Sequence, residues 1–243
     1  ATNADLYENW TDVNGFLVAD PRVVHAPDGI SEITYKELRE LSYMGATVLH
    51  EDAIFPVSQV GIPVNIRNTN DMENPGTMIV KDASGKKASH HVTGIAGKRG
   101  FSLINVEKAM MNGEIGFIRQ LLEVIEELGI SVEHIPSGID TVSLVVDQSQ
   151  VLGREKEIEK AIVDGVSASH VTFDHDVAVI AVVGRGMIRA AGTAARVFKA
   201  VAEENINLRM IDQGSSEISI IIGVAENAFE DTVKAIYNEF FRK

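Results

Sequence analysis

The stretch "ISVEHIPSGIDTVSLVV", residues 130–146, decides the fold. Two runs of strand-forming residues flank a Pro-Ser-Gly turn at 136–138, the pattern of two strands folded back on each other. A second stretch, "INLRMIDQGSSEISIII" from Ile206, writes nearly the same hairpin again. Equivalent residues stand 76 apart: Gly116 with Gly192, Glu127 with Glu203, Ile130 with Ile206, Ile135 with Ile211, Gly138 with Gly214, Ser143 with Ser219. A fixed spacing held over about 30 residues marks a duplicated unit.

Upstream of each hairpin lies an apolar run closed by glycine, "VTGIAG" to Gly97 and "VAVIAVVG" to Gly184, where the spacing becomes 87. Read as first strands, these runs predict eleven extra residues in the opening loop of the first unit, around "SLINVEKAMMNGE". Next come "IGFIRQLLEVIEELG" and "AGTAARVFKAVAEEN", apolar at helical spacing and ending in Gly or Asn where a left-handed C-cap belongs. After the hairpins, "GREKEIEKAIVDG" and "AENAFEDTVKAIYNEFF" predict a last amphipathic helix in each unit. Each unit therefore reads β-α-β-β-α, and one more strand completes a ferredoxin-like βαββαβ pattern. "SASHVTF" supplies it for the first unit, whereas the second ends in its helix, so its last strand is shared or lost. The expected fold class is α/β (α+β), with units at 88–175 and 176–243 behind a segment at 1–80.

Composition narrows the function. The chain has 243 residues and 45% hydrophobic content, ample for a packed core. Lys plus Arg number 22 against 35 for Asp plus Glu, a net charge of −13 with no basic stripe, which argues against a nucleic-acid partner. The absence of cysteine removes disulfides, thiol nucleophiles and cysteine metal sites, and fits a reducing cytoplasm. Apolar runs such as "ISIIIGVA" fall short of the roughly 20 residues that span a bilayer, so no membrane segment is expected. The opening "ATNADLYENWTDV", without an initiator Met, reads as the interior of a longer protein.

"VAVIAVVGRGMIRAAG" imitates a dinucleotide fingerprint, with Asp212 where a ribose-binding acid would be sought. Arg189 replaces the third glycine, and the short "DQGSSE" turn makes an antiparallel hairpin where a dinucleotide fold needs a helical crossover. "SGKKA" and "AGKRG" lack the earlier glycine of a P-loop. His90 and His91 are too close in sequence for a usual metal pair, and His170, His175, Asp174 and Asp176 read as a polar strand end. "REKEIEKAI" reads as an exposed, ion-paired helix face. No metal site and no catalytic residue is assigned.

Tandem units of this kind resemble ACT domains, small ligand-binding modules of amino-acid metabolism. "WTDVNGFLVADPRVV" at 10–24, "ITYKELRELSYMGATVLHEDAIFPV" at 33–57 and "IPVNIRNTNDMENPGTMI" at 62–79 resemble the end of the kinase domain in the aspartate kinase family. The resemblance implies transfer of the γ-phosphoryl group of ATP, with Mg2+, to the β-carboxylate of L-aspartate, the first step of lysine, threonine and methionine biosynthesis. It implies nucleotide contacts from Thr11, Asp12, Asp20 and Arg22. The family's phosphate-gripping Lys and Gly-rich turn lie in an earlier segment that this chain does not contain, so the chain alone is expected to bind effector and dimerise without catalysing. By the residues themselves, Asp12 capping the Asn14–Gly15 turn and Arg22 paired with a local acid is the competing reading. Leu17 and Thr47 depart from the Tyr and Lys common among relatives, which implies fewer nucleotide contacts.

An amino-acid effector needs donors for its carboxylate and acids for its ammonium groups. "GKRGFS" at 97–102, read as a turn, offers free N–H groups, and Glu133, Ser137 and Asp140 on the facing strand offer ammonium partners. The resemblance to lysine-sensitive relatives implies the same region: Lys98, Gly100, Phe101, Ser102, Val132, Glu133 and Ser137. At the matching positions the second unit has Leu208, Arg209 and Gln213, which suit packing or dimerisation. The family further implies a homodimer through the ACT sheets. Two other classes remain open, a separate non-catalytic regulatory subunit and an ACT module sensing threonine or diaminopimelate.

Overall fold

The computed structural model of the chain describes residues 4–46, 51–81 and 91–242. Its N-terminal segment contains β1 (Tyr7–Thr11), β2 (Glu32–Thr34), α1 (Tyr35–Tyr43), α2 (Glu51–Val60), β3 (Val64–Asn68) and β4 (Thr77–Val80). They form a four-stranded sheet in the order β1-β3-β4-β2. β1 runs parallel to β3 and β2 parallel to β4, while β3 and β4 are antiparallel. α1 starts at a capping box: Thr34 Oγ1 accepts from the Glu37 N–H, and Glu37 Oε2 accepts from the Thr34 N–H at 2.9 Å.

The remainder follows as β5 (Gly94–Glu107), α3 (Phe117–Glu127), β6 (Val132–His134), β7 (Thr141–Asp147), α4 (Glu155–Val166), β8 (His170–Val183), α5 (Thr193–Glu203), β9 (Met210–Asp212), β10 (Ser219–Ala225) and α6 (Phe229–Phe241). Their strands make one sheet ordered β6-β7-β5-β8-β10-β9. Both hairpins fold back antiparallel, and β9 pairs directly with β10 without a helical crossover.

Each long strand serves both units. Residues 101–107 of β5 pair with β7, and 103–107 pair with 170–174 of β8. Residues 94–98 of β5 instead pair with 179–183 of β8, whose other side pairs with β10. The second unit therefore takes its last strand from the segment before the first unit, and the first unit is inserted within it.

Two expectations change. The opening strand of the first unit is 101–107, so Phe101 matches Val177 and Glu107 matches Val183 at the unbroken spacing of 76, and there are no extra residues in its loop. The glycine-ended run "VTGIAG" misled because its glycine answers a different constraint. A Cβ on Gly97 would stand 2.7 Å from the Phe229 ring and 2.8 Å from the Val179 carbonyl oxygen, so α6 requires the gap. The boundary expected at 88 accordingly divides differently, with residues 94–98 on the sheet of the second unit.

Apolar burial separates the chain into two cores. Ile104, Val106, Phe117, Leu121, Ile125, Leu144, Ile158 and Ile162 form the core of the first unit. Val177–Val183, Phe229, Val233 and Ile236 of the second unit share a core with Phe16, Val18, Ile33, Leu38 and Leu41 of the N-terminal segment. α1 lies so close to β5 that a Cβ on Gly94 would stand 2.8 Å from Leu41 Cδ1. The Ile95 N–H also donates to the Val18 carbonyl at 2.7 Å. No helix among the described residues is long and apolar enough to cross a membrane.

At this seam the side chain of Glu37 is fully buried. Its Oε1 accepts from the Arg185 N–H at 2.8 Å and Thr93 Oγ1 at 2.6 Å, and its Oε2 faces Arg185 Nη1 at 3.1 Å. Arg185 Nη2 also pairs with Glu32 at 3.0 Å. Burial pushes the Glu37 carboxyl upward, but the hydrogen bonds from the Arg185 N–H, Thr34 and Thr93 outweigh it and leave its pKa below the ordinary 4.5. A carboxyl lowered on folding contributes stability that is present above its unfolded pKa and lost as pH falls through the folded one. Urea unfolding should accordingly show this acid-labile component in the wild type and lose it in Glu37→Gln. At neutral pH Arg185→Ala should destabilise by about 3–5 kcal/mol, because it strands a buried carboxylate.

Candidate functional site

The nucleotide-side residues begin where β1 and β3 end together. Their parallel pairing brings both carboxyl ends to one edge, the place where open α/β sheets receive ligands. Thr69, just past β3, donates from its N–H and Oγ1 to the Thr11 carbonyl at 2.8 and 3.0 Å. Thr11 Oγ1 donates to Asp12 Oδ1 at 3.1 Å. Asn14 joins the edge through Asn68 Nδ2 at 2.6 Å and Asp71 at 3.3 Å. The Arg67 guanidinium lies 4.9 Å from the Trp10 ring, 3.7 Å from Glu8, and donates to the Met72 carbonyl at 2.6 Å. Neither Trp10 nor Arg67 was singled out in the sequence, although each sits within two residues of a strand's carboxyl end.

Asp20 and Arg22 behave differently. Arg22 Nη2 pairs with Asp20 Oδ2 at 2.6 Å, its own N–H caps Asp20 Oδ1 at 2.8 Å, and its side chain is 86% exposed. The Asp20 carboxyl is held low chiefly by the hydrogen bond from the Arg22 side chain. This is the local-pair arrangement that the residues alone allowed. Leu17 bridges Gly29. Thr47 and His90 lie outside the described residues.

The effector side needs a correction. "GKRGFS" is not a turn, because Lys98, Gly100, Phe101 and Ser102 lie within β5 at the bulge between the two units. Phe101 and Ser102 are buried, and Ser102 Oγ lies 2.8 Å from His175 Nδ1. The Gly100 N–H is occupied by Glu226 Oε2 at 3.0 Å. The loop after the first strand is 108–116, and it packs on the hairpin tip. The Lys108 N–H donates to the Asp140 carbonyl at 2.9 Å and the Asn112 N–H to the Ile139 carbonyl at 3.2 Å. Lys108 Nζ pairs with Glu114 at 2.5 Å, donates to the Val166 carbonyl and lies over the Phe117 ring. The Gly116/Gly192 match already marked the end of this loop in the sequence, since both glycines take positive φ, 86° and 89°, before their helices.

Ser137 and Asp140 therefore stay beside an opening loop, but a different one from that expected. Val132 packs against the first core. Glu133 accepts a hydrogen bond from the Tyr43 hydroxyl at the end of α1, and Lys98 Nζ lies 5.2 Å from the same ring. The bond to Glu133, reinforced by burial, pushes the Tyr43 hydroxyl up to about 12. Around loop 108–116 three large apolar side chains face solvent: Ile115 at 98%, Met110 at 79% and Ile139 at 70% exposure.

In the second unit the corresponding loop and hairpin line a pocket of about 540 Å³ that includes Ala191, Ala194, Gln213, Ser215 and Glu217. Arg209 is engaged, donating to the His175 carbonyl at 3.0 Å. Among the described residues no cluster of three metal-ligating side chains occurs. The exposed face of α4 carries Arg154–Glu157 and Lys160–Asp164 pairs.

Residues 1–68 match the amino acid kinase family and residues 180–240 match the ACT domain. Aspartokinase 3 of Bacillus subtilis is 44% identical over 239 residues, covering 98% of this chain and 52% of its own length. The chain belongs to the aspartokinase family. The crystal structure of Clostridium acetobutylicum aspartate kinase superposes with a TM-score of 0.92 at 52% identity, over 98% of this chain and 55% of that one. E. coli aspartokinase III, solved with lysine and aspartate in its T-state, superposes with a TM-score of 0.77 at 26% identity, over 98% of this chain and 52% of that one. The same enzyme with aspartate and ADP in its R-state gives 0.78, covering 97% and 52%. The chain spans about half the length of the aspartokinases it matches.

The aspartokinase architecture thus joins part of a kinase domain to a pair of ACT units, with the second unit sharing a core with the kinase segment and most of the first unit's apolar residues forming another. Arg22→Ala should leave the thermal midpoint of this chain unchanged within about 1 °C by scanning calorimetry, since an exposed ion pair two residues long contributes little.

Proposed function

We propose that this chain is the regulatory part of an aspartate kinase that phosphorylates the β-carboxylate of L-aspartate from ATP with Mg2+ in the cytoplasm, and that its first ACT unit senses L-lysine. The observation that carries this reading is a kinase-type segment in one chain with an ACT match at 180–240 and a second unit of the same strand–helix order. Binding of lysine, aspartate and ADP by E. coli aspartokinase III supports it. The effector is placed between loop 108–116 and the hairpin through Asp140, with Ser137 and Asp140 at the rim and Glu133 as the acid for the second ammonium. Thr11 and Asp12, at the joint end of β1 and β3, are the nucleotide contacts with the better-supported geometry. The solvent-facing Met110, Ile115 and Ile139 favour a homodimer through the first unit, since apolar side chains clustered at one rim mark an association surface.

By this reading the 243-residue chain binds effector but does not turn over ATP and aspartate. Calorimetric titration with L-lysine, L-threonine and diaminopimelate tests it: saturable lysine binding, weakened at least about tenfold in Glu133→Ala, is expected, as an ammonium loses its carboxylate. Silence from lysine beside a response to another amino acid would remove the lysine assignment. Ile115→Asp should shift the chain towards monomer in sedimentation without lowering its thermal midpoint, because Ile115 contributes no burial within the chain.

A further inference from the structure

Glu133 has two possible partners of different kinds, and one of them belongs to the kinase segment. Tyr43 is the last residue of α1, and its ring is bracketed by the Lys98 ammonium on one side and Glu133 at the hydroxyl. α1 is otherwise anchored to the second unit or the strand it borrows, near its start through Glu37 to Arg185 and in its last turn through Leu41 against Gly94. α1 is thus pinned to the second unit along its length and tied to the first unit at its C-terminal end. Glu133 lies on β6, the outermost strand of the sheet, where one side chain can turn without disturbing a neighbouring strand.

We propose that Tyr43 and the ammonium group of an amino-acid effector compete for Glu133, so that filling the first unit frees the C-terminal end of α1 from it. The idea rests on the effector reading above and adds the route by which occupancy reaches the kinase segment. A carboxylate binds an ammonium more strongly than a neutral phenol, because both partners carry charge. The exchange is therefore downhill only when ligand is present. Because ligand and Tyr43 exclude each other, every factor by which Tyr43 weakens ligand binding is the factor by which ligand loosens α1. Lys98 on the Tyr43 ring and Leu41 against Gly94 keep α1 near the sheet and limit the motion to the residues past Leu41.

Three versions of the chain test this: wild type, Tyr43→Phe, which keeps the ring and its stacking on Lys98, and Glu133→Gln. Without ligand, hydrogen exchange should be faster at residues 41–46 and 132–134 in Tyr43→Phe than in wild type. On adding L-lysine the wild type should show the same acceleration at 41–46, and Tyr43→Phe should show no further change there. Calorimetry should give Tyr43→Phe about three- to tenfold tighter lysine binding than wild type, the effect of removing one competing hydrogen bond to a carboxylate. Equal lysine affinities in wild type and Tyr43→Phe, with Glu133→Gln weakened, would overturn the competition and leave the effector site intact. No lysine binding by wild type would overturn both.

Discussion

The Glu37 carboxylate is the point on which the architecture turns. It closes the capping box that starts α1 and also receives Arg185 from the loop that follows the first strand of the second unit. Burying a carboxylate costs several kcal/mol, which its ion-pair attraction repays only when further hydrogen bonds saturate the oxygens. Here the Thr34 N–H and hydroxyl, the Thr93 hydroxyl and the Arg185 N–H and guanidinium all donate to it. One side chain therefore fixes the helix start, the approach of the borrowed strand and the seat of the second unit together.

The insertion of one unit in another follows from that seat. Since residues 94–98 complete the second sheet, the chain must leave it through β5, build the first unit, and return through β8. The two connections are neighbouring strands, and the units join at the bulges near residues 98–103 and at Asp176, where φ is 54°. Polar links gather at this joint: Ser102 with His175, Gly100 with Glu226, Gln148 with Asp176 and Arg209 with the His175 carbonyl. Residues that looked like a ligand loop in sequence are the joint between units.

That misreading shows where the sequence was legible. Periodicity and turn chemistry fixed both hairpins, their antiparallel sense and the helices, because these features are local and written twice. A shared last strand for the second unit was one of two readings the sequence left open, but its source was not legible, since "VTGIAG" and "FSLINVE" are both competent strands and only the packing of α6 over Gly97 separates their roles. The long-range pair of Glu37 and Arg185 was equally hidden. Glu37 advertised itself only as a capping-box residue, and nothing near Arg185 announced a partner 148 positions away. Of the site residues, Ser137 and Asp140 stand in the hairpin that meets loop 108–116, whereas Lys98, Gly100, Phe101 and Ser102 lie in β5 and inherited the strand error.

Duplication was followed by divergence at matched positions of the two units. At the spacing of 76, Met110, Ile115, Ile118 and Ile139 of the first unit correspond to Gly186, Ala191, Ala194 and Ser215 of the second. Large apolar side chains at a rim favour association, whereas small ones leave a recess. Glu133 and Arg209 diverge similarly: the first stands at an edge and accepts from the Tyr43 phenol, the second donates to the His175 carbonyl at the joint. The second unit shares a core with the kinase segment, to which Phe101, Leu103 and Val145 of the first unit also contribute, while most of the first unit's apolar residues form a separate core.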